Sequence, residues 1–238
     1  MQSSMNPEFI ALGFLWYIAF LFSLTCHEAS HALAAQWGGD LTAAEGGQVT
    51  LNPLPHIRRE IFGTTIVPIL SYVLGGWMIG WGSAPFDPHW RYRHPRRAAW
   101  MALAGPAANL ILMLAAVLAI RVGVFAGALT RPETARFTRV VAAVHPGPME
   151  GVAILLSIMF SLNLLLALFN LLPIPPLDGH GAICLFFTED FARRFTQATR
   201  NPTLAIFGLL VGWKVFGYIY DPLFTLALRL LYPGARYW

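Results

Sequence analysis

Charge is what this chain most lacks. Asp, Glu, Lys and Arg together make up 12% of its 238 residues, against about a quarter in soluble globular domains. Lysine is nearly missing: Lys214 stands alone beside 15 arginines, and 12 acids leave a formal net charge of +4. No basic stripe interleaved with exposed aromatics accompanies that skew, so nucleic acid is not an implied partner. Cysteine is scarce too. Cys26 and Cys184 are the only two, too few for a disulfide framework or a cysteine-based zinc site, and both read as small buried apolar residues. The opening MQSSMNPEFIALGF carries no basic stretch of the kind that starts a secretory signal. The first apolar run is therefore expected to be kept as a membrane anchor.

Apolar residues are abundant, at 56% of the chain, which excludes intrinsic disorder. They collect in five runs, 9–26, 61–86, 98–120, 151–177 and 203–231, and the first four hold no charge at all. Runs of that length reach across a bilayer, where backbone groups must be satisfied within the segment, so helices are expected. Lys214 and Asp221-Pro222 interrupt the last run, which reads as one span plus a short terminal helix. The expected fold is an all-α polytopic membrane protein in a single integral-membrane domain over 1–238. It should have about five to six transmembrane or re-entrant helices and a short β-hairpin or strand after the first.

That strand is placed in 38–56. Two Gly-Gly pairs precede a stretch where Val49 and Leu51 alternate with Gln48, Thr50 and Asn52, a pattern of turns beside a short extended segment. The run 61–86 is unusual in carrying Pro68, Gly75, Gly76, Gly80 and Gly82, a density of breakers that suits a re-entrant or in-plane segment. Arg91, Arg93, Arg96 and Arg97 precede the third run, and Arg193, Arg194 and Arg200 follow the fourth. The positive-inside rule puts both loops in the cytoplasm. Trp77, Trp81, Trp90 and Trp100 sit near run ends and are expected in an interfacial belt. His56, His89, His94 and His145 lie in loops and are expected to be solvated.

The chemistry concentrates in two places. Cys26-His27-Glu28-Ala29-Ser30-His31 is an H-E-x-x-H motif at the end of an apolar helix. Residues four apart share a helical face, so both imidazoles can hold one Zn²⁺ while Glu28 lies near enough to take a proton from water at the metal. Ionisable groups in an apolar helix need a partner, and a metal supplies one. A cluster hydrogen-bonded to neighbouring helices is the plainer alternative. A catalytic zinc usually has a third protein ligand. Asp178, in Asn170-Leu171-Leu172-Pro173-Ile174-Pro175-Pro176-Leu177-Asp178-Gly179, is the most distinctive remaining carboxylate. The three prolines break the fourth run and leave irregular backbone, which at membrane depth belongs around a protein-walled or wet cavity. Asp178 equally suits capping of a following helix.

HEASH together with NLLPIPPLDG resembles the site-2 protease family of intramembrane zinc metalloproteases, and Gly105-Pro106-Ala107-Ala108-Asn109 is similar to that family's G-P-x-x-N element. The three occur in the family's order. The resemblance implies one zinc per chain held by His27, His31 and Asp178, catalysis by Glu28, and positioning of substrate or active site by Asn170 and Asn109. It implies a transmembrane protein or peptide substrate in the lipid bilayer. It further implies a compact member without a PDZ-like domain, in a prokaryotic cell membrane. Ala29 and Ser30 replace a bulky-residue-plus-Gly pair, and His180 stands where Gly is frequent. His180 is open to supporting the metal site or to being an ordinary interfacial histidine.

If His27 and Asp178 share one metal near the C-terminal ends of their helices, the first and fourth runs are parallel. An odd number of crossings then separates them, and 61–86 is the better candidate not to cross. The metal falls toward the cytoplasm. Val49 and Leu51 are expected to hold an unwound substrate by edge pairing. An ion or proton transporter lined by His, Glu and Asp is the alternative reading of the same residues.

Overall fold

The computed structural model describes residues 6–199 and 201–234. In chain order the elements begin with α1 (Pro7–Trp37), α2 (Thr42–Glu45), α3 (Pro53–Arg59), a π-helical turn Phe62–Ile66 and α4 (Val67–Gly75). Next come α5 (Pro88–Arg93), α6 (Pro95–Phe125), β1 (Leu129–Thr130), β2 (Ala142–Ala143) and α7 (Pro148–Asn170). The chain continues with α8 (Asp178–Ala182), a 3₁₀ turn Ile183–Phe186, α9 (Glu189–Ala198) and α10 (Pro202–Leu231). Among the described residues, α1, α6, α7 and α10 are long and apolar enough to cross a membrane. The protein is an all-α integral membrane protein with one short hairpin.

Caps drawn from the sequence start these helices. The side chains of Asn6, Asn52, Asp87, Thr188 and Asn201 each accept from a backbone N–H in the first turn, and all but Thr188 are followed by proline at the first helical positions. Such a side chain satisfies a donor that the helix leaves over, and proline there loses nothing. At 1.5 Å per residue the 31 residues of α1 extend about 46 Å, well beyond a hydrocarbon core of about 30 Å. The helix therefore runs on past His31 into the loop region instead of stopping at the motif.

Helix association in lipid has no hydrophobic drive, so close approach of backbones matters. Ala19, Ala32, Ala35, Ala99, Ala116, Ala153 and Ala167 are all buried at 4% exposure or less. Around them α1 packs on α7 through Trp16, Phe20, Leu24, Ile158 and Leu162. The second half of α6 meets α7 and the end of α10 through Ile120, Phe160 and Leu228. The hydrogen bond from His31 to Met101 joins the end of α1 to the start of α6. Asn109 and Asn163 then meet farther along α6 and α7. Hence α6 is antiparallel to both α1 and α7, and α1 and α7 are parallel, as a shared metal demands.

The run 61–86 makes no full-length span. Five π-helical residues lead into the nine of α4, and irregular chain follows to Asp87. The π turn sends the Val67 N–H to Phe62 O, and Gly63 O accepts from the Trp81 N–H at 3.0 Å. That bond folds the irregular chain back against α4. The last run departs from expectation in the other direction: α10 is one continuous helix of 30 residues with Pro222 inside it. Pro222 removes one backbone bond, but Phe224, Ala227, Leu228 and Leu231 beyond it pack on α6 and α7 and hold the axis.

The hairpin also lies elsewhere than expected. β1 and β2 pair antiparallel, Leu129 opposite Ala143 and Thr130 opposite Ala142, at the end of the bundle away from the H-E-x-x-H motif. Residues 49–51 form bends, and 48–52 hold no strand. Their polar side chains turn inward on the local backbone: Thr50 Oγ1 accepts from Asn52 N, and Asn52 Oδ1 caps α3 by accepting from Leu54 N. Ser, Thr and Asn compete with strand ladders in this way. Two further readings change. His56 is buried and donates from Nε2 to Thr50 O at 3.1 Å. Trp90 is buried too, its indole N–H donating to Gly38 O at 2.9 Å, so it closes the end of α1 and does not join an interfacial belt.

Candidate metal centre

The motif helix carries its chemistry inward. His27, Glu28 and His31 are each 5% exposed, and the two imidazoles stand edge to face with Nε2 atoms 3.0 Å apart. Asp178 arrives from the other side of the chain. α7 ends at Asn170, before the first of the three prolines, and the segment 171–177 turns back so that Asp178 opens α8. Its Oδ2 lies 3.1 Å from His27 Nε2 and 3.3 Å from His31 Nε2. Three ligand-type atoms from residues 27, 31 and 178 thus meet at one point.

Proton positions decide what that meeting means. His31 Nδ1 faces Met101 O at 2.7 Å, and a carbonyl only accepts, so Nδ1 carries the hydrogen. His27 Nδ1 donates to Asn109 Oδ1 at 2.6 Å. With both Nδ1 atoms protonated, each ring in the neutral form that binds a metal turns a lone pair from Nε2 toward the carboxylate. The contacts among the three atoms are therefore between acceptors. Asp178 Oδ2 is buried with no hydrogen-bond donor, and a cation is what such a trio requires. Ligands of a tetrahedral zinc with bonds near 2.0–2.2 Å stand about 3.3–3.6 Å apart. The observed edges of 3.0 to 3.3 Å lie within a few tenths of an ångström of the short end of that range.

Two glycines keep the centre open. A Cβ at Gly105 would fall on His31 Nε2 and His27 Nε2, and one at Gly82 would meet Glu28 Oε1 at 2.8 Å and Cδ at 3.0 Å. Gly105 comes from the G-P-x-x-N element of α6. Gly82 comes from the breaker-rich run, which crosses beside the Glu28 carboxylate. That crossing is anchored by Asp40, whose Oδ1 accepts from the Thr42 amide and hydroxyl and whose Oδ2 accepts from the Asp87 amide. Burial opposes charge on Asp40, but those three hydrogen bonds outweigh it and hold the carboxyl below its usual range.

The remaining predicted residues fall into different places. Asn109 is fully buried against His27, not at an open surface. Asn170, the last residue of α7, donates from Nδ2 to Leu166 O at 3.0 Å. Val49 is half-buried, and Leu51 is 63% exposed. Leu51 lines an apolar groove of about 370 Å³ with Pro53 and the α1 residues Phe14, Tyr17, Ile18 and Thr25. His180 turns away from the metal centre: its Nε2 bonds Thr199 Oγ1 at 2.7 Å and its ring packs on Phe195. Burial, aided by the charge of Arg91, pushes its imidazole down to about 4. Reading the sequence missed Asn163, Ser23, Gly82 and the Met101 carbonyl. Asn163, an amide in the middle of a charge-free run, was the one that carried a signal.

Buried imidazoles and a carboxylate placed to hold a divalent ion, with a glutamate on the same helix, define a zinc-dependent hydrolase built among membrane helices. The comparisons agree, since residues 15–213 match Peptidase family M50, and the chain belongs to that family of site-2-type zinc metalloproteases. The Bacillus subtilis protein YwhC is 34% identical over 76% of this chain and 73% of its own length. Rip2 of Mycolicibacterium smegmatis is 31% identical over 86% and 69%, and Rip2 of Mycobacterium tuberculosis 31% identical over 99% and 85%. All three carry the words zinc metalloprotease in their names. No solved structure matches the chain.

Proposed function

We propose that this protease cuts peptide bonds within or beside the membrane-spanning segments of other membrane proteins, as in regulated intramembrane proteolysis. The observation that supports this most is the convergence of His27, His31 and Asp178 Oδ2 at one buried point between helices that themselves lie in the bilayer. In this reading those three residues hold a single zinc, which supplies a more acidic water and a polarised scissile carbonyl. Glu28 acts at its carboxylate, taking the proton of the attacking water and delivering it to the leaving amine. Its burial keeps other water away, and Gly82 leaves room for the carboxylate to move between the two tasks. Asn170 keeps a second amide N–H beyond the one given to Leu166, available to a substrate carbonyl or the developing oxyanion. Asn109 acts through His27, by holding the ring in place.

Val49 and Leu51 position the substrate. The groove between α1 and Leu51 runs up to Thr25, one helical turn before Glu28, and an apolar segment lying in it would pass toward the carboxylate. Incubating the purified protein with a panel of single-span membrane peptides, with and without chelator, tests the function. Cleavage that stops with chelator and returns with zinc is expected. Ion movement across vesicles with no cleavage would favour a transporter instead.

The site faces the cytoplasm of a prokaryotic cell in this reading. Arg91, Arg93, Arg96 and Arg97 lie on α5 and the first turn of α6, at the end where Met101 meets His31, and short basic segments stay inside. Reporter fusions at Arg91 and Thr130 should report opposite sides of the membrane, Arg91 inside. Both on one side would reject the arrangement.

A further inference from the structure

Beneath the metal centre runs a chain of buried amides. Asn109 Nδ2 donates to Asn163 Oδ1 at 2.8 Å and lies 3.5 Å from Ser23 O. Asn163 Nδ2 donates to Met159 O at 2.8 Å and to Ser23 Oγ at 2.9 Å. Ser23, Asn109 and Asn163 are all 0% exposed, in the middle of α1, α6 and α7. No protein carboxylate or cation takes part in these bonds.

An amide can be turned over without changing its shape, and each turn exchanges a donor for an acceptor. Here the direction is decided at one end. Met159 O is a backbone carbonyl and only accepts, so the Asn163 atom facing it must be nitrogen. Asn163 Oδ1 then faces Asn109, whose facing atom must be the donor Nδ2. Asn109 Oδ1 is left toward His27, so Nδ1 of that ring carries the hydrogen and Nε2 keeps its lone pair for the metal. Reversing Asn109 alone would set two oxygens against each other at the Asn163 contact. It would also turn an N–H toward His27 Nδ1 and drive the ring proton to Nε2, where no metal could bind.

We infer that Asn163 is a positioning residue for the metal site: through Asn109 it selects the tautomer of His27 that can ligate zinc. The inference rests on His27 being a ligand, as proposed above. Outer hydrogen-bond partners of metal-bound histidines typically matter by roughly 10–100-fold in metal affinity, and the 0% exposure of this chain leaves no water to substitute for it.

The test uses the full-length protein in lipid, labelled with ¹⁵N-histidine and stripped of metal, with His27 signals assigned by comparison with His27→Ala. The ring is expected to carry its proton on Nδ1. Asn163→Leu keeps the volume and suits an apolar helix. It should leave a mixture of tautomers and weaken zinc binding roughly tenfold, in a protein that still folds without metal though with a lowered melting temperature, since Asn109 Nδ2 loses its partner. Adding Asn109→Asp should restore both readouts, because a carboxylate accepts from His27 whichever way it is turned. A wild-type ring with a proton on Nε2 and none on Nδ1 would overturn the inference without any variant. So would an unchanged Asn163→Leu, or a double variant that recovers nothing, since the role would then be packing. If Asn163→Leu does not fold, Asn163→Ala carries the same readouts. Undiminished zinc in His27→Ala would instead reject the ligand assignment, a separate result from the tautomer of the ring.

Discussion

Glu28→Gln is expected to lower peptide cleavage about a hundred- to ten-thousand-fold, the usual weight of a general acid and base, while one zinc per chain remains bound. Glutamine has the shape of glutamate and none of its basicity. Glu28 contributes no atom to the trio at His27, His31 and Asp178, so the ion keeps its ligands. The space that Gly82 leaves beside Oε1 and Cδ accepts an amide as readily as a carboxylate. Elemental analysis beside a cleavage assay on one preparation measures both halves. Turnover near wild type would remove Glu28 from the chemistry, and loss of zinc would mean that the glutamate holds the metal.

Gly105→Ala is expected to empty the site without touching a ligand. One methyl group at this position would occupy the space of His27 Nε2 and His31 Nε2 at once. The two rings are pinned from behind by Asn109 and Met101, so neither can swing aside without losing a buried hydrogen bond. Helix propensity acts in the opposite direction, because alanine is better than glycine inside a helix by about 1 kcal/mol. Zinc sites are worth far more, about 10–16 kcal/mol in structural cases at neutral pH. A lost buried hydrogen bond costs about 1–3 kcal/mol, so the variant should have a metal-free form no more stable than the wild type, no stoichiometric zinc and no cleavage. Full zinc content with normal turnover would show that the imidazoles do not sit against α6 as described.

These two residues differ in how legible they were. Glu28 could be read directly, because H-E-x-x-H places its three functional groups within one helical turn and a local period is written in consecutive letters. Asp178 was legible as an oddity, an acid after three prolines at the end of an apolar run, and the family resemblance made the oddity a candidate ligand. Gly105 belonged to a recognisable element, yet nothing in the letters says that its missing side chain makes room for two imidazoles. Gly82 read only as a helix breaker. Asn163 was one polar residue in an apolar run, with no spacing to tie it to position 27.

Residues 48–52 show the limit from the other side. Their alternation suggested a strand, but Thr50 and Asn52 found nearer partners in the backbone around them, and the hairpin formed at 129–143, where the sequence reading had not placed it. His56 and Trp90 were expected at the surface and lie buried, each bonded to a carbonyl. A backbone acceptor has no letter of its own, so bonds to it are invisible until the chain is folded.

From its letters alone the chain established a helical membrane protein, four of its spanning runs, and the helix bearing two imidazoles and a carboxylate, since hydrophobic length and 3.6-residue spacing are local. Folding decided the remainder. It brought Asp178 Oδ2 within 3.3 Å of both Nε2 atoms, giving distances to a pairing that the family resemblance had only implied, and threaded Gly82 past Glu28. It also aligned the amides that orient His27. Those are matters of distance between segments far apart in the chain, and only the packing of helices against one another determines such distances.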